Sequence, residues 1–262
     1  MISVVIPVYN EETDLPGCLE AFTAQIWPGR FELIFVDNGS RDRSVAIIRE
    51  FMQAHSQLDV RLLFEPRPGA AAAAQTGFSA ARYPLIARTD ADTVVAPNWL
   101  AAIESGFADA SVVALCGRVS FREPTPLQHL FAIERLIEFH QRLHVRLKRP
   151  HFWGFNFAVR RSKFQEIGGF NTRLRLGEDL DLALRLARAC GRGEHIRYAP
   201  EMRVFSSSRR YQLSRSWLRY TLDGYRAYFN LAWLHRLPRW MLYGIGEADE
   251  VSDEEALCPR KS

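Results

Sequence analysis

The chain has 262 residues, enough for one large domain or two fused half-domains around a sizeable core. Its 47% hydrophobic and 24% charged content is that of an ordinary globular protein. A net charge of +4 and a pI near 9.0 fall well short of a nucleic-acid-binding signature, but suit attraction of a phosphorylated small molecule or an anionic membrane surface. Four scattered cysteines, Cys18, Cys116, Cys190 and Cys258, form no C-x-x-C pair and read as reduced thiols of a cytoplasmic protein. Met1 leads straight into a strand-like run, so no signal peptide is expected, and no stretch of about 18 apolar residues exists to span a bilayer.

Strand and helix alternate over the first third. Ile2 to Pro7 is a short apolar run, and Asn10-Glu11-Glu12 then opens a helix with Leu15, Cys18, Leu19 and Phe22 on one face. Phe31 to Val36 is a second strand, followed by the turn Asp37-Asn38-Gly39-Ser40. Ser40 is placed to cap a helix whose core face is Val45, Ile48, Phe51 and Met52. Val60 to Phe64 is a third strand, Gly69 to Ala81 an alanine-rich third helix, and Leu85 to Thr89 a fourth strand. This order argues for an α/β fold, a mostly parallel sheet with helices on both faces. Such sheets bind ligands outside the carboxyl ends of their strands, where the Asn10, Asp37 and Asp90 regions all fall.

The later chain is less regular. Val112 to Val119 reads as a strand, Pro126 to Lys148 as a long helix, and Phe152 to Arg160 as an extended aromatic segment. Gly177-Glu178-Asp179 opens a helix from Leu180 to Cys190, stopped by Gly191. The expected division is a first half over 1–115, a second half of the same domain over 116–210, a helical segment over 211–246 and an acidic, frayed tail over 247–262.

Thr89-Asp90-Ala91-Asp92-Thr93 is the stretch richest in chemistry. If the strand continues through it, period two aims both carboxylates at one face, where their repulsion calls for a cation. Oxygen ligands of this kind suit Mg²⁺ or Mn²⁺, whose shell substrate phosphates commonly complete. A chance surface loop is the competing reading of the triplet alone.

Pro7-Val8-Tyr9-Asn10-Glu11-Glu12, Val36-Asp37-Asn38-Gly39-Ser40, the Asp90/Asp92 pair, Gly168-Gly169-Phe170 and Gly177-Glu178-Asp179 occur in that order. Together they resemble family 2 glycosyltransferases of the GT-A fold, over roughly residues 1 to 210. The resemblance implies that Pro7, Tyr9 and Glu11 line a nucleoside pocket and that Asp37 bonds the base. Asn38, Gly69, Ala91 and Arg210 join them at the nucleotide sugar, although the family often has an acidic residue where Asn38 stands. Asp90 and Asp92 would hold sugar, diphosphate and a Mn²⁺ or Mg²⁺ ion, and Asp179 would be the catalytic base. Trp153, Asn156 and Glu178 fall where acceptor or donor-sugar contacts are common in similar proteins.

Plainer readings stand beside these. Asp37 to Ser40 also suits a tight turn and helix cap. Gln75 is either a donor contact or a polar helix residue, and Arg88 either pairs with the aspartates or phosphate or sits at a solvated edge. Trp153 also suits the core, and Glu178 also suits a helix N-terminus. Ser206 to Arg210 is either a phosphate-facing segment or a solvated loop, and His195 reads as structural. Missing G-x-G-x-x-G argues against a dinucleotide-binding dehydrogenase. The processive synthases of the family carry Gln-x-x-Arg-Trp and membrane spans, both absent here, which favours single-sugar transfer. The rivals are an inactive nucleotide-sugar-binding protein and a sugar nucleotidyltransferase. The partners expected are a nucleotide-diphosphate sugar and a hydroxyl acceptor, lipid-linked or soluble, with no nucleic acid. Tyr211 to Tyr243, dense in aromatic residues and arginine, either meets the cytoplasmic face of a membrane or packs as a helix or dimer contact.

Overall fold

The computed structural model describes residues 1–122, 133–206, 215–234 and 236–243. Arg209, Arg210 and the acidic run from Glu247 lie outside them, as do the first residues of the helix expected from Pro126.

One eight-stranded sheet organises the fold. Its strands are β1 (Ile2–Val8), β2 (Phe31–Asp37), β3 (Asp59–Phe64), β4 (Leu85–Arg88), β5 (Thr93–Val95), β6 (Val112–Phe121), β7 (Phe157–Arg160) and β8 (His195–Ser206). They lie in the order β3-β2-β1-β4-β7-β6-β8-β5. The first four are parallel, β7 runs antiparallel to both β4 and β6, and β8 pairs parallel with β6. The carboxyl ends of β1, β2 and β4 therefore open on the same edge.

Side-chain alternation decides what covers each face. Ile2, Val4, Ile6 and Val8 join Leu33 and Phe35 in a core completed by α1 (Leu15–Thr23), α2 (Ser44–Ala54) and α4 (Trp99–Gly106). Val5, Ile34 and Val36 point the other way, against α3 (Ala70–Ala80) and α7 (Glu178–Arg188). Because both faces are covered, these strands read as continuous apolar runs. The alanines of α3 have a steric reason: a Cβ on Gly77 would fall 2.3 Å from Val5 Cγ1, so this helix lies too close to β1 for larger side chains.

Three local expectations need correction. The first helix starts at Leu15 with Pro16 in its first turn; Asn10 takes the left-handed conformation (φ 53°), and the residues after it make only a turn closed by Leu15 N on Glu11 O. The second starts at Ser44, and Ser40 caps nothing: its hydroxyl accepts the Asn10 amide instead. The extended segment before Arg160 is a strand only from Phe157, since Asn156 N bonds back to Trp153 O in a turn.

Beyond the sheet, α5 (Ile133–Arg146) follows β6, α6 (Arg161–Glu166) follows β7, and α8 (Arg215–Ala232) packs on α7. Leu174, Leu180, Leu184, Ala227, Tyr228, Leu231 and Met241 form that third core. The chain then makes one 3-10 turn, Arg239–Met241, and bridges Leu242 to Leu174 in antiparallel pairing. Among the described residues no helix is long and apolar enough to cross a membrane.

Candidate active site

The loops at the carboxyl ends of β1, β2 and β3 are stitched together by side chains. Asn10 N donates to Ser40 Oγ, and Asn10 Oδ1 accepts from Arg41 N at 2.8 Å. Glu11 N donates to Ser44 Oγ (2.8 Å), Glu12 N to Asp42 Oδ2 (3.0 Å), and Arg43 N to Glu12 Oε2 (3.1 Å). Asn38 spends its amide on the next loop: Nδ2 donates to the Glu65 and Arg67 carbonyls, and Oδ1 accepts Gly69 N at 2.7 Å. Asn38 is thus a staple, and a carboxylate there would lose two donors. Asp37, buried, accepts the Gly39 and Ser40 amides, so the turn reading of this motif holds at the level of geometry. Beside it a cleft of about 410 Å³ opens between α2 and β3, lined by Asp37, Arg49, Leu62 and Phe64 among others. Tyr9 stands exposed and Pro7 half-buried at the adjoining strand end.

The paired aspartates do not share a strand face. Thr93 N donates to Asp90 O at 3.1 Å, closing a turn between β4 and β5, so turn geometry replaces the period-two argument. Asp90 and Asp92 are partly exposed in this turn, and Ala91 is buried beneath it. Arg122 anchors it, donating to Asp92 O at 3.3 Å and pairing with Asp14 at 2.6 Å. Under the turn, burial pushes the Cys18 thiol pKa up, and Asp92, Asp90 and Glu11 raise it further. No group of three or more His, Cys, Asp or Glu among the described residues could hold a metal unaided. Two hard oxygen donors in an open turn do fit Mg²⁺ or Mn²⁺, provided substrate oxygens complete the shell.

Arg88, at the end of β4 and only 3% exposed, joins this turn to the second carboxylate pair. Its Nη1 meets Glu178 Oε1 at 3.2 Å and its Nη2 meets Asp90 Oδ1 at 3.5 Å. Gly177, at φ 77°, starts α7 so that Glu178 and Asp179 fall in the first helical turn, where the macrodipole favours acids. Burial, then the neighbouring Glu178 charge, raises the Asp179 carboxyl to about 7, with Arg88 opposing. Asp179 Oδ1 also accepts the amide of Leu180, and Gly154 donates to the same carboxylate. A Cβ on Gly154 would lie 2.9 Å from Arg88 Nη2 and 3.4 Å from Asp179 Oδ2. Gly154, inside the extended aromatic segment, is therefore part of the site wall.

The structure brings Asp90, Glu178 and Asp179 together around Arg88, and puts Asn156 elsewhere. Asn156 is buried, accepts from Trp99 Nε1, and donates to the Arg118 and Met202 carbonyls, all inside the fold. Trp153 is partly exposed, stacks on His151, and has no partner for its Nε1. Gln75 Oε1 accepts Phe170 N at 2.7 Å, which fixes the Gly168-Gly169-Phe170 turn to α3. Gly69 is at φ 112°, and Tyr243 lies against it where any Cβ would stand. Nothing in sequence spacing signals the contacts made by Gln75, Tyr243 or Arg122. Arg210 lies outside the described residues.

An open α/β sheet gathers carboxylates at its switch edge, where such sheets bind ligands, and one of them, Asp179, has its carboxyl raised to about 7 beside the Arg88–Glu178 pair. Residues 3–168 match the family described as glycosyl transferase family 2, and the chain belongs to that family. Residues 134–207 also match the N-terminal domain of galactosyltransferase. The chain is 31% identical over 191 residues to glycosyltransferase AglE of Haloferax volcanii, covering 72% of this chain and 62% of AglE. It is 38% identical over 94 residues to undecaprenyl-phosphate 4-deoxy-4-formamido-L-arabinose transferase of Aeromonas hydrophila, 35% of this chain and 29% of that protein. The fold resembles mannosyltransferase PcManGT from Pyrobaculum calidifontis, solved with GDP-Man and Mn²⁺, at TM-score 0.70 and 23% identity. That likeness covers 90% of this chain and 65% of the mannosyltransferase, so the chain spans less than two thirds of each of these proteins.

Proposed function

We propose that the chain transfers a single sugar from a nucleotide-diphosphate sugar to an acceptor hydroxyl, inverting the anomeric centre. The observation that carries this reading is the carboxylate cluster at the end of β4, where Arg88 pairs with both Asp90 and Glu178, and the adjoining Asp179 carboxyl is raised to about 7. A hydroxyl is a weak nucleophile until a positioned base of suitable pKa takes its proton. Asp179 removes that proton as the hydroxyl oxygen attacks opposite the departing diphosphate. The proton ends on Asp179 Oδ2, and the electron pair of the broken C–O bond ends on the nucleoside diphosphate.

Pro7, Tyr9, Glu11 and Asp37 take the nucleoside on the β1–β2 side, with Gly69 beside the diphosphate. Asp90 and Asp92 would hold Mn²⁺ or Mg²⁺, which when bound neutralises charge developing on the leaving phosphate. Arg88 holds Glu178 and Asp90 at fixed separation, and Trp153, whose buried indole N–H has no partner, takes the sugar or acceptor side. Relatives bearing undecaprenyl-phosphate in their name support a lipid-linked acceptor, and the thiols Cys18, Cys116 and Cys190, unpaired in the fold, support a cytoplasmic setting. The test is a panel of nucleotide-diphosphate sugars with Mn²⁺, read first as a ligand-induced rise in melting temperature and then as release of nucleoside diphosphate. A panel that neither stabilises the chain nor releases diphosphate overturns the reading.

A further inference from the structure

Exposed large apolar side chains are segregated on this protein. Outside residues 136–147 and 222–243, the described residues show only Met1, Tyr9, Ile26 and Phe64 in this class. Inside those ranges, α5 exposes Leu136, Phe139 and Leu143, and α8 exposes Leu222, Tyr225 and Phe229. Steps of three and four residues make each set a single stripe along its helix. Phe139 is 62% and Phe229 55% exposed, while the opposite face of α8 is spent on the core with α7. These stripes are therefore not the inner faces of helices caught packing.

Two contacts hold the ends of α5 and α8 together. The Tyr228 hydroxyl bonds His144, their rings 4.8 Å apart, and the Arg149 guanidinium lies 3.7 Å over the Trp233 ring. Cations accompany the stripes. Arg135, Arg146, Lys148 and Arg236 are exposed, while Arg142 and Arg226 pair with Glu138 and Asp223. Amphipathic helices whose apolar stripes carry aromatic rings and are flanked by cations match an anionic bilayer, where rings enter the headgroup layer and cations meet lipid phosphates.

We infer that α5 and α8 together form a docking surface for an anionic membrane. The fit rests on charge complementarity and on the two stripes, and not on the transferase reading. The position of this surface has a consequence that does rest on that reading. Tyr228 stacks on His151, His151 on Trp153, and Gly154 follows directly against Arg88 and Asp179. A bilayer at α5 and α8 would lie on the Trp153 side of the site, and an amphiphilic acceptor would reach Asp179 from the lipid.

Co-sedimentation of the full chain with vesicles tests the docking. Phosphatidylglycerol–phosphatidylcholine vesicles should carry the protein down at about 0.05 M salt and release most of it at about 0.5 M, because the electrostatic part is screened. Pure phosphatidylcholine vesicles should bind it much more weakly. Phe139→Ser with Phe229→Ser should lower binding at least tenfold, and Arg146→Gln and Lys148→Gln about fivefold each, with unchanged thermal melting. Native protein left in the supernatant with anionic vesicles at low salt overturns the inference. So does binding that survives both pairs of substitutions. A protein that ignores vesicles but sediments alone at twice its mass, and returns to a monomer with the two Phe→Ser changes, would make the surface a contact between copies. Each readout is independent of turnover, so failure here leaves the transferase reading standing, and the reverse also holds.

Discussion

Arg88 and Glu178 form an ion pair, Nη1 to Oε1 at 3.2 Å, in which both residues are almost withdrawn from solvent. A pair of this kind gains little over an apolar pair of equal volume, but removing one member strands the other charge. Arg88→Met should destabilise the fold by about 3–5 kcal/mol, read by denaturant unfolding. Adding Glu178→Gln should recover a large part of that loss. If the double variant is no better than Arg88→Met, the pair is not the reason Arg88 is buried here.

Asp179 predicts both a rate and a stability effect. With its carboxyl raised to about 7, kcat/KM should climb with pH up to that region and then level. Asp179→Asn should cut turnover on the order of 10²–10⁴-fold while nucleotide-sugar binding persists. The folded state holds this proton more tightly than the unfolded chain, whose carboxyl titrates near 3.8. Stability therefore declines as pH rises from about 4 to about 7, and Asp179→Asn should melt higher than the native chain at pH 8. A native rate that stays flat from pH 5 to 8 would remove Asp179 from the role.

Asp92→Ala should abolish transfer with little change in melting temperature, since the turn is held by backbone bonds and by Arg122 to the Asp92 carbonyl. Exhaustive chelation of the native protein should do the same, and added Mn²⁺ should restore it. Full turnover in chelator would rule out metal assistance.

Acid should loosen the junction of α5 and α8. Burial pushes His151 down to about 3 and His140 to about 4, and lowers His144 as well. The fold therefore disfavours protonation of all three, while in the unfolded chain they take up protons around pH 6.5. Stability is complete above that pH and is lost as pH falls toward about 4. His151→Phe keeps the stacking on Tyr228 and Trp153 and removes an unpartnered Nδ1. It should stabilise the protein by about 1 kcal/mol and flatten the acid limb of its melting curve. An unchanged limb would place the acid sensitivity elsewhere.

Gly154→Ala puts a methyl group 2.9 Å from Arg88 Nη2. Overpacking there should cost about 1–3 kcal/mol and should lower kcat more than it raises the KM for donor. A neutral outcome would mean that this loop yields freely.

The alternation of apolar runs and helical stripes through Thr89 carried the parallel half of the sheet, because short apolar runs bounded by turn residues alternate with segments whose apolar positions repeat at three and four. Boundaries at the site were harder to read. Asn10 ends its strand in a left-handed conformation, Ser40 bonds across to another loop, and the Asp90/Asp92 turn breaks the strand pattern; each depends on a partner distant in sequence. The carboxylates themselves were legible as motifs. The contacts made by Gly154, Gln75 and Tyr243 were not, since a glycine that clears a guanidinium, or a glutamine that accepts an amide 95 positions away, leaves no periodic trace.

The reciprocal bonds among Asn10, Ser40, Glu11, Ser44, Asn38 and Gly69 bear on how such a protein is redesigned. Each loop uses its neighbour's side chains to satisfy its own backbone, so the three behave as one unit. Grafting a single loop from another member to change donor preference would leave amides on both sides without acceptors. Exchanging residues 9–12, 38–44 and 65–69 together would carry their acceptors along, and is the smallest swap that preserves the rim.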